Sequence, residues 1–92
     1  MDIIDFYNAV SKGDFDKVKE FENEHNGSMP LNKNVTVNFT GTSVLPLPLI
    51  VAFQKRHFEI AKYFIRKGAD INLICKRHNK TPKDFMPKDF KL

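Results

Sequence analysis

The segment AVSKGDFDKVKEF at Ala9–Phe21 recurs 43 positions later as AFQKRHFEIAKYF at Ala52–Phe64. Ala9 falls on Ala52, Lys12 on Lys55, Phe15 on Phe58, Asp16 on Glu59, Lys19 on Lys62 and Phe21 on Phe64. Internal self-similarity constrains the fold more than any local propensity, because a unit that cannot bury its apolar face alone must stack on its neighbour. A shift of 34 lays Val37–Pro48 over Ile71–Pro82 and matches Val37 with Ile71, Asn38 with Asn72 and Pro48 with Pro82. The two shifts differ, so the first unit carries about nine extra residues, around HNGSMPLNKNV at His25–Val35, that the second lacks. This segment is rich in turn formers and poor in apolar residues. It is expected to be an exposed excursion whose middle is dispensable for folding.

Within the second unit, Ile60, Ala61, Phe64 and Ile65 fall on one side of a helix, and Glu59, Lys62, Arg66 and Lys67 take the other. Lys67 followed by Gly68 supplies a stop: a cation near the negative helix end, then the residue that most easily turns left-handed. Each unit thus reads as a short apolar helix, a tight turn, an amphipathic helix and an extended finger. Thr81 as N-cap with Pro82 in the first helical position opens a third unit. Pro87 limits its helix to about a turn. Phe85, Met86 and Phe90 are then placed to cover the last apolar face.

These residues resemble the ankyrin repeat, a unit of about 33 residues with a Thr-Pro-Leu-His-x-Ala signature. Thr81 and Pro82 match its opening, and Pro48, Leu49 and Ala52 match the second unit's version of it. His57-Phe58-Glu59-Ile60 matches the turn into the second helix, and Gly68-Ala69-Asp70-Ile71-Asn72 matches the close. The first unit keeps the helix-turn-helix core KGDFDKVKEF, Lys12 to Phe21, and the third stops after TPKDF, Thr81 to Phe85. The resemblance implies an all-α fold, a short helix-turn-helix solenoid with extended fingers and an inserted loop after the second helix. It implies one domain over 1–92: a helix pair at 1–24, the insertion at 25–36, a finger at 37–48, a helix pair at 49–67, a finger at 68–81 and a truncated capping repeat at 82–92. The departures are specific. Leu47 and Ile50 stand where the family has Thr and His, which turns a hydrogen-bonded link into a packing contact. Arg56 stands at a turn glycine that Gly13 retains, Leu45 at a finger glycine, and Asn79 is the conservative substitute at the equivalent site.

A chain of 92 residues makes one small domain, too small to combine a stable core with a sizeable substrate cavity. A single cysteine, Cys75, excludes an internal disulfide and suits a reducing compartment, so a cytoplasmic location, in the producing or host cell, is expected. No apolar run reaches membrane-spanning length, and MDIIDFYN lacks the regions of a secretory signal. His25, His57 and His78 fall in different elements with no paired ligand spacing, so no catalytic residue, metal or cofactor is expected, and His57 reads as structural. Cys75 beside Lys76 and Arg77 invites the thought of an activated thiolate, but no orienting base is identifiable. Its place on an extended, exposed finger is the simpler reading.

Charge is lopsided. Residues 1–54 carry four basic and seven acidic side chains, and residues 55–92 carry eleven and four. The resemblance implies recognition of another protein through finger tips and the inner face of the first helices. Carried onto this chain, those positions give Lys12, Ser43, Val44, Gln54, Lys55, Arg77, His78, Lys80 and Lys83 as partner-binding residues. The basic half suggests a partner with an acidic surface. The function expected is an adaptor or inhibitor that masks a protein, such as a viral, phage or bacterial antagonist or an immunity-type protein. No small-molecule substrate and no membrane enter. Two other readings stand beside it: nucleic-acid binding through the basic half, against which the aromatic stacking and arginine-rich patterns of such readers are missing, and self-association through incompletely capped stack ends.

Overall fold

In the computed structural model, residues 2–33, 36–38 and 42–91 are described, with side chains outside the segment 34–44. Two helix pairs form the body: α1 (Ile3–Lys12) with α2 (Phe15–Glu24), and α3 (Pro48–Gln54) with α4 (Phe58–Arg66). Between the pairs, β1 (Thr36–Asn38) and β2 (Thr42–Val44) make an antiparallel ribbon with Val37 opposite Ser43. A single 3-10 turn, Pro82–Phe85, follows α4 and a second connecting segment. The fold is helical as expected, and the first finger adds these two short strands, whose first residue lies one position before the expected start.

The first two helices begin at aspartate caps, whereas α3 and α4 have no side-chain cap. Asp2 caps α1, accepting from the Asp5 amide at 2.9 Å while the Asp5 carboxylate accepts from the Asp2 amide at 3.4 Å. Asp14 caps α2 without the reciprocal bond, accepting from the Lys17 amide at 3.2 Å. α1 stops at Gly13, in the left-handed region at φ 76°. A Cβ there would also come within 2.6 Å of the His57 ring. The His57 ring is bonded to the Ser11 carbonyl at 3.1 Å, so one histidine ties the α3–α4 turn to the α1–α2 turn. That is the structural part expected of it.

α1 packs on α2, α3 packs on α4, and α3 lies between α1 and the 3-10 turn. Its position explains its sequence: Pro48 to Phe53 are all buried, so α3 is apolar on every side. α1 contributes Phe6, Tyr7 and Val10, α2 contributes Val18 and Phe21, and α4 contributes Ile60 and Phe64. Phe6 joins the pairs, with its ring 4.6 Å from Phe21 and 5.9 Å from Phe64. Leu47, Ile50 and Cys75 form a second buried cluster with Leu73 and Phe85 against it. The apolar Leu47 and Ile50 therefore pack against the second connecting segment, as their replacement of hydrogen-bonding residues suggested. Phe90 lies edge-on to Phe53 at 5.0 Å and against Phe58 at 5.7 Å, and with Phe85 and Met86 it covers the far side of the core.

The insertion corrects the expectation. Leu31 is only 6% exposed and belongs to the main core, and Met29 packs against it. The Asn32 side chain donates to the Gly68 carbonyl at 2.8 Å and accepts from the Asp70 amide at 2.7 Å, pinning the segment to the end of α4. Two apolar residues suffice here because they fall where the gap between α1, α2 and α4 has to be closed. The left-handed Asn26 and Gly27, at φ 57° and 84°, turn the chain to bring them there.

Candidate protein-binding surface

The second connecting segment shows how cationic side chains come to be presented. The Cys75 amide donates to the Lys80 carbonyl at 2.8 Å and the Asn79 amide donates to the Cys75 carbonyl at 2.7 Å, which closes a tight loop with Asn79 left-handed at φ 54°. Cys75 points inward beneath Leu47 and Ile50 and is fully buried. Its neighbours Lys76 and Arg77, and Lys80 across the loop, are exposed. The loop is anchored onward: the Thr81 amide donates to the Asp84 carboxylate at 2.9 Å, and the Lys83 amide donates to the Ile71 carbonyl at 3.0 Å. Pro82 is buried beneath exposed Lys83 and Asp84. Gln54 and Lys55 are exposed at the end of α3, the helix on which the 3-10 turn packs.

Of the expected contact residues, Gln54, Lys55, Arg77, Lys80 and Lys83 are thus exposed on α3, the loop and the 3-10 turn. Lys12 is exposed too, but it lines a separate groove between α1 and α2, which it shares with Lys17 and the four carboxylates Asp5, Asp14, Glu20 and Glu24. Ser43 and Val44 stand in β2, and their side chains lie outside the described residues. His78 is a correction: it is half-buried, its ring lies edge-on to Phe85 at 5.3 Å, and its buried Nε2 has no hydrogen-bond partner among the described residues. A ring used to cover Phe85 is packing, not a finger tip offered to a partner. Cys75 is a second correction, because the tightness of the loop turns it into the core and removes it from any thiolate chemistry at the surface.

Sequence reasoning passed over the most unusual charge in the molecule. Glu22 is only 6% exposed, and its carboxylate accepts from the Tyr63 hydroxyl and lies 3.4 Å from the Lys67 ammonium. That ammonium also stands 5.5 Å from the Tyr63 ring centroid. The hydrogen bond to Glu22 is the main cause that pushes the Tyr63 phenol up to about 12. Burial, with Cys75 nearby, raises the Tyr7 phenol as well, and its hydroxyl has no partner among the described residues. A signal for Glu22 was present, since it follows Phe21 on the stripe that begins with Val18. The partners, from another helix pair, were not visible in sequence.

Among the described residues, no group of three or more His, Cys, Asp or Glu side chains could hold a metal ion, and no helix is long and apolar enough to cross a membrane. Compared with protein-family models, curated proteins and solved structures, the chain matches none of them.

Proposed function

We propose that this chain is a small protein-binding module of the ankyrin type, an adaptor or inhibitor that covers an acidic surface of a larger protein. One observation carries the reading: α1 packs on α3 and α3 on the 3-10 turn, so these three elements form a row, and the second connecting segment closes beside that row as a cation-bearing loop. Exposed Lys55, Arg77, Lys80 and Lys83 are carried by the last two members of that row and by the loop. Placing like charges on neighbouring elements adds their fields, which speeds encounter with an acidic partner more than it strengthens the final complex. Fold analogy supports binding and says nothing of the partner's name.

The test is capture by the tagged chain, with mass spectrometry, alongside the double variant Lys80→Glu/Lys83→Glu, followed by surface plasmon resonance on the protein recovered. Association should slow as salt is raised and the Debye length falls from about 10 to 3 Å, with dissociation much less affected. The double variant should associate more slowly while its melting temperature stays nearly unchanged, because exposed charges contribute little to stability. Salt-independent association, or full binding by the double variant, removes the basic loop from the mechanism.

A further inference from the structure

The segment that lengthens the first unit does more than fill a gap. Its residues Ser28 to Lys33 form one wall of a groove of about 610 Å³, with Ile3 of α1, Phe21 of α2, His25 and Lys67 completing it. That volume lies within the range of clefts that hold specific ligands, about 300–1,000 Å³. Its apolar lining is Ile3, Phe21, Met29, Pro30 and Leu31, and its charged residues are Lys33 and Lys67. Among the described residues, no Asp or Glu lines it. The groove between α1 and α2 and the two beside Phe15 and Glu59 all carry carboxylates.

The walls are held in place before anything binds. The His25 ring stacks on Phe21 at 3.9 Å, and its Nδ1 is 2.8 Å from the Phe21 carbonyl oxygen. Asn32 is pinned at both ends of its amide, to Gly68 and Asp70. Lys67 is positioned by Glu22 beneath it. With Glu22 offsetting Lys67, Lys33 gives the rim its net positive sign. A preformed cleft loses little conformational freedom on binding.

We infer that this groove receives a short segment of the partner protein in which a bulky apolar side chain is flanked by Asp or Glu. The apolar side chain enters the cleft against Phe21 and Met29, and the acidic flank meets Lys33 and Lys67. This rests on the protein-binding reading and adds a second contact, made by the insertion, to the cationic loop.

The probes are synthetic hexapeptides with a central Phe, Leu or Met flanked by Asp and Glu, titrated into the uniformly ¹⁵N-labelled full chain and followed by amide chemical shifts. Controls carry a central Ala, or Lys in place of the acidic flanks. Shifts should cluster at Ile3, Phe21, Met29, Leu31 and Lys33, and both controls should bind weakly. Met29→Asp should weaken binding about tenfold or more, as loss of a central apolar contact does, and the exposed Lys33→Glu by roughly three- to fivefold, as loss of a rim charge does. Circular dichroism of each variant shows that the fold is kept. Shifts at Lys80 and Lys83 instead, equal binding of the Lys-flanked control, or no shifts at all would overturn the assignment. So would concentration-dependent shifts of the groove amides without peptide, which would give the groove to a second copy of the chain. If a captured partner is lost with Lys80→Glu/Lys83→Glu and kept with Met29→Asp, the groove fails alone. If neither variant affects it, the protein-binding reading through these faces fails too.

Discussion

Arg56 holds the α3–α4 turn at φ 61°, in the region where a Cβ crowds the following carbonyl and glycine does not. Its guanidinium lies 5.2 Å from the centre of the Phe58 ring, and that contact offsets part of the strain. Comparing two substitutions separates the two effects. Arg56→Ala loses the cation and keeps the strain, whereas Arg56→Gly loses both, so the glycine variant should be more stable than the alanine variant by about 1 kcal/mol in chemical denaturation. Equal stabilities would mean that the turn relaxes without strain. Glu22 offers a different test. Because the folded chain holds the Tyr63 phenol up to about 12, against an ordinary 10.0, this tyrosine stabilises the fold fully below pH 10, and the contribution fades as pH rises through 12. Ultraviolet absorbance should therefore show no tyrosinate forming near pH 10 in the native protein, since Tyr7 is raised as well. Glu22→Gln keeps an acceptor but removes the charge, and it should bring Tyr63 back toward 10 while the fold persists. A native titration near 10 in the unaltered chain would show that the Glu22 contact is not maintained in solution.

The helices were legible because their signals are local: a cap, a stripe at helical spacing, a stop. Thr81 before Pro82, the Ile60–Phe64 stripe and Gly68 need no knowledge of the rest of the chain; the Asp14 cap of α2 was not read. The left-handed turn at Arg56 was legible by register, because Gly13 occupies the same place one unit earlier. What sequence concealed were residues whose roles depend on a distant partner. Leu31 reads as one apolar residue in a polar loop until the gap between α1, α2 and α4 is seen, and Glu22 reads as a solvated charge until Tyr63 and Lys67 arrive from another pair. Cys75 and His78 looked exposed because finger residues usually are, and the tight closure from Cys75 to Lys80 turned both inward. For the insertion the consequence is measurable. Leu31→Ala should cost about 2–3 kcal/mol, within the range for buried leucines. Asn32→Ala should cost roughly 1–2 kcal/mol through its two lost hydrogen bonds. Removing the segment that contains both should abolish cooperative melting, and a shortened chain that still melts cooperatively would show that the wall is an addition and not part of the core.

Helix pairs packed side by side leave an apolar face at each end with no further helix to cover it. Here the two ends are closed differently. The first pair presents a mostly polar groove between α1 and α2, lined by Asp5, Asn8, Ala9, Lys12, Asp14, Lys17, Glu20 and Glu24, a surface that water covers at little cost. The far end is covered by the chain itself, as the 3-10 turn and the following residues lay Phe85, Met86 and Phe90 against the core. Among the described residues only Ile4 and Ile74 are large apolar side chains left exposed, at 37% and 56%, and isolated residues of this kind do not make an association surface. A monomer of 10.7 kDa is therefore expected by light scattering over a range of concentrations. Uncovering the far end should undo it. Phe90 is half-buried against Phe53 and Phe58, so Phe90→Ala should cost about 1–2 kcal/mol, less than a fully buried phenylalanine. It should also uncover those two rings and raise the scattering mass as concentration increases. If the variant melts at the temperature of the unaltered chain and stays monomeric, the far end is not closed by Phe90.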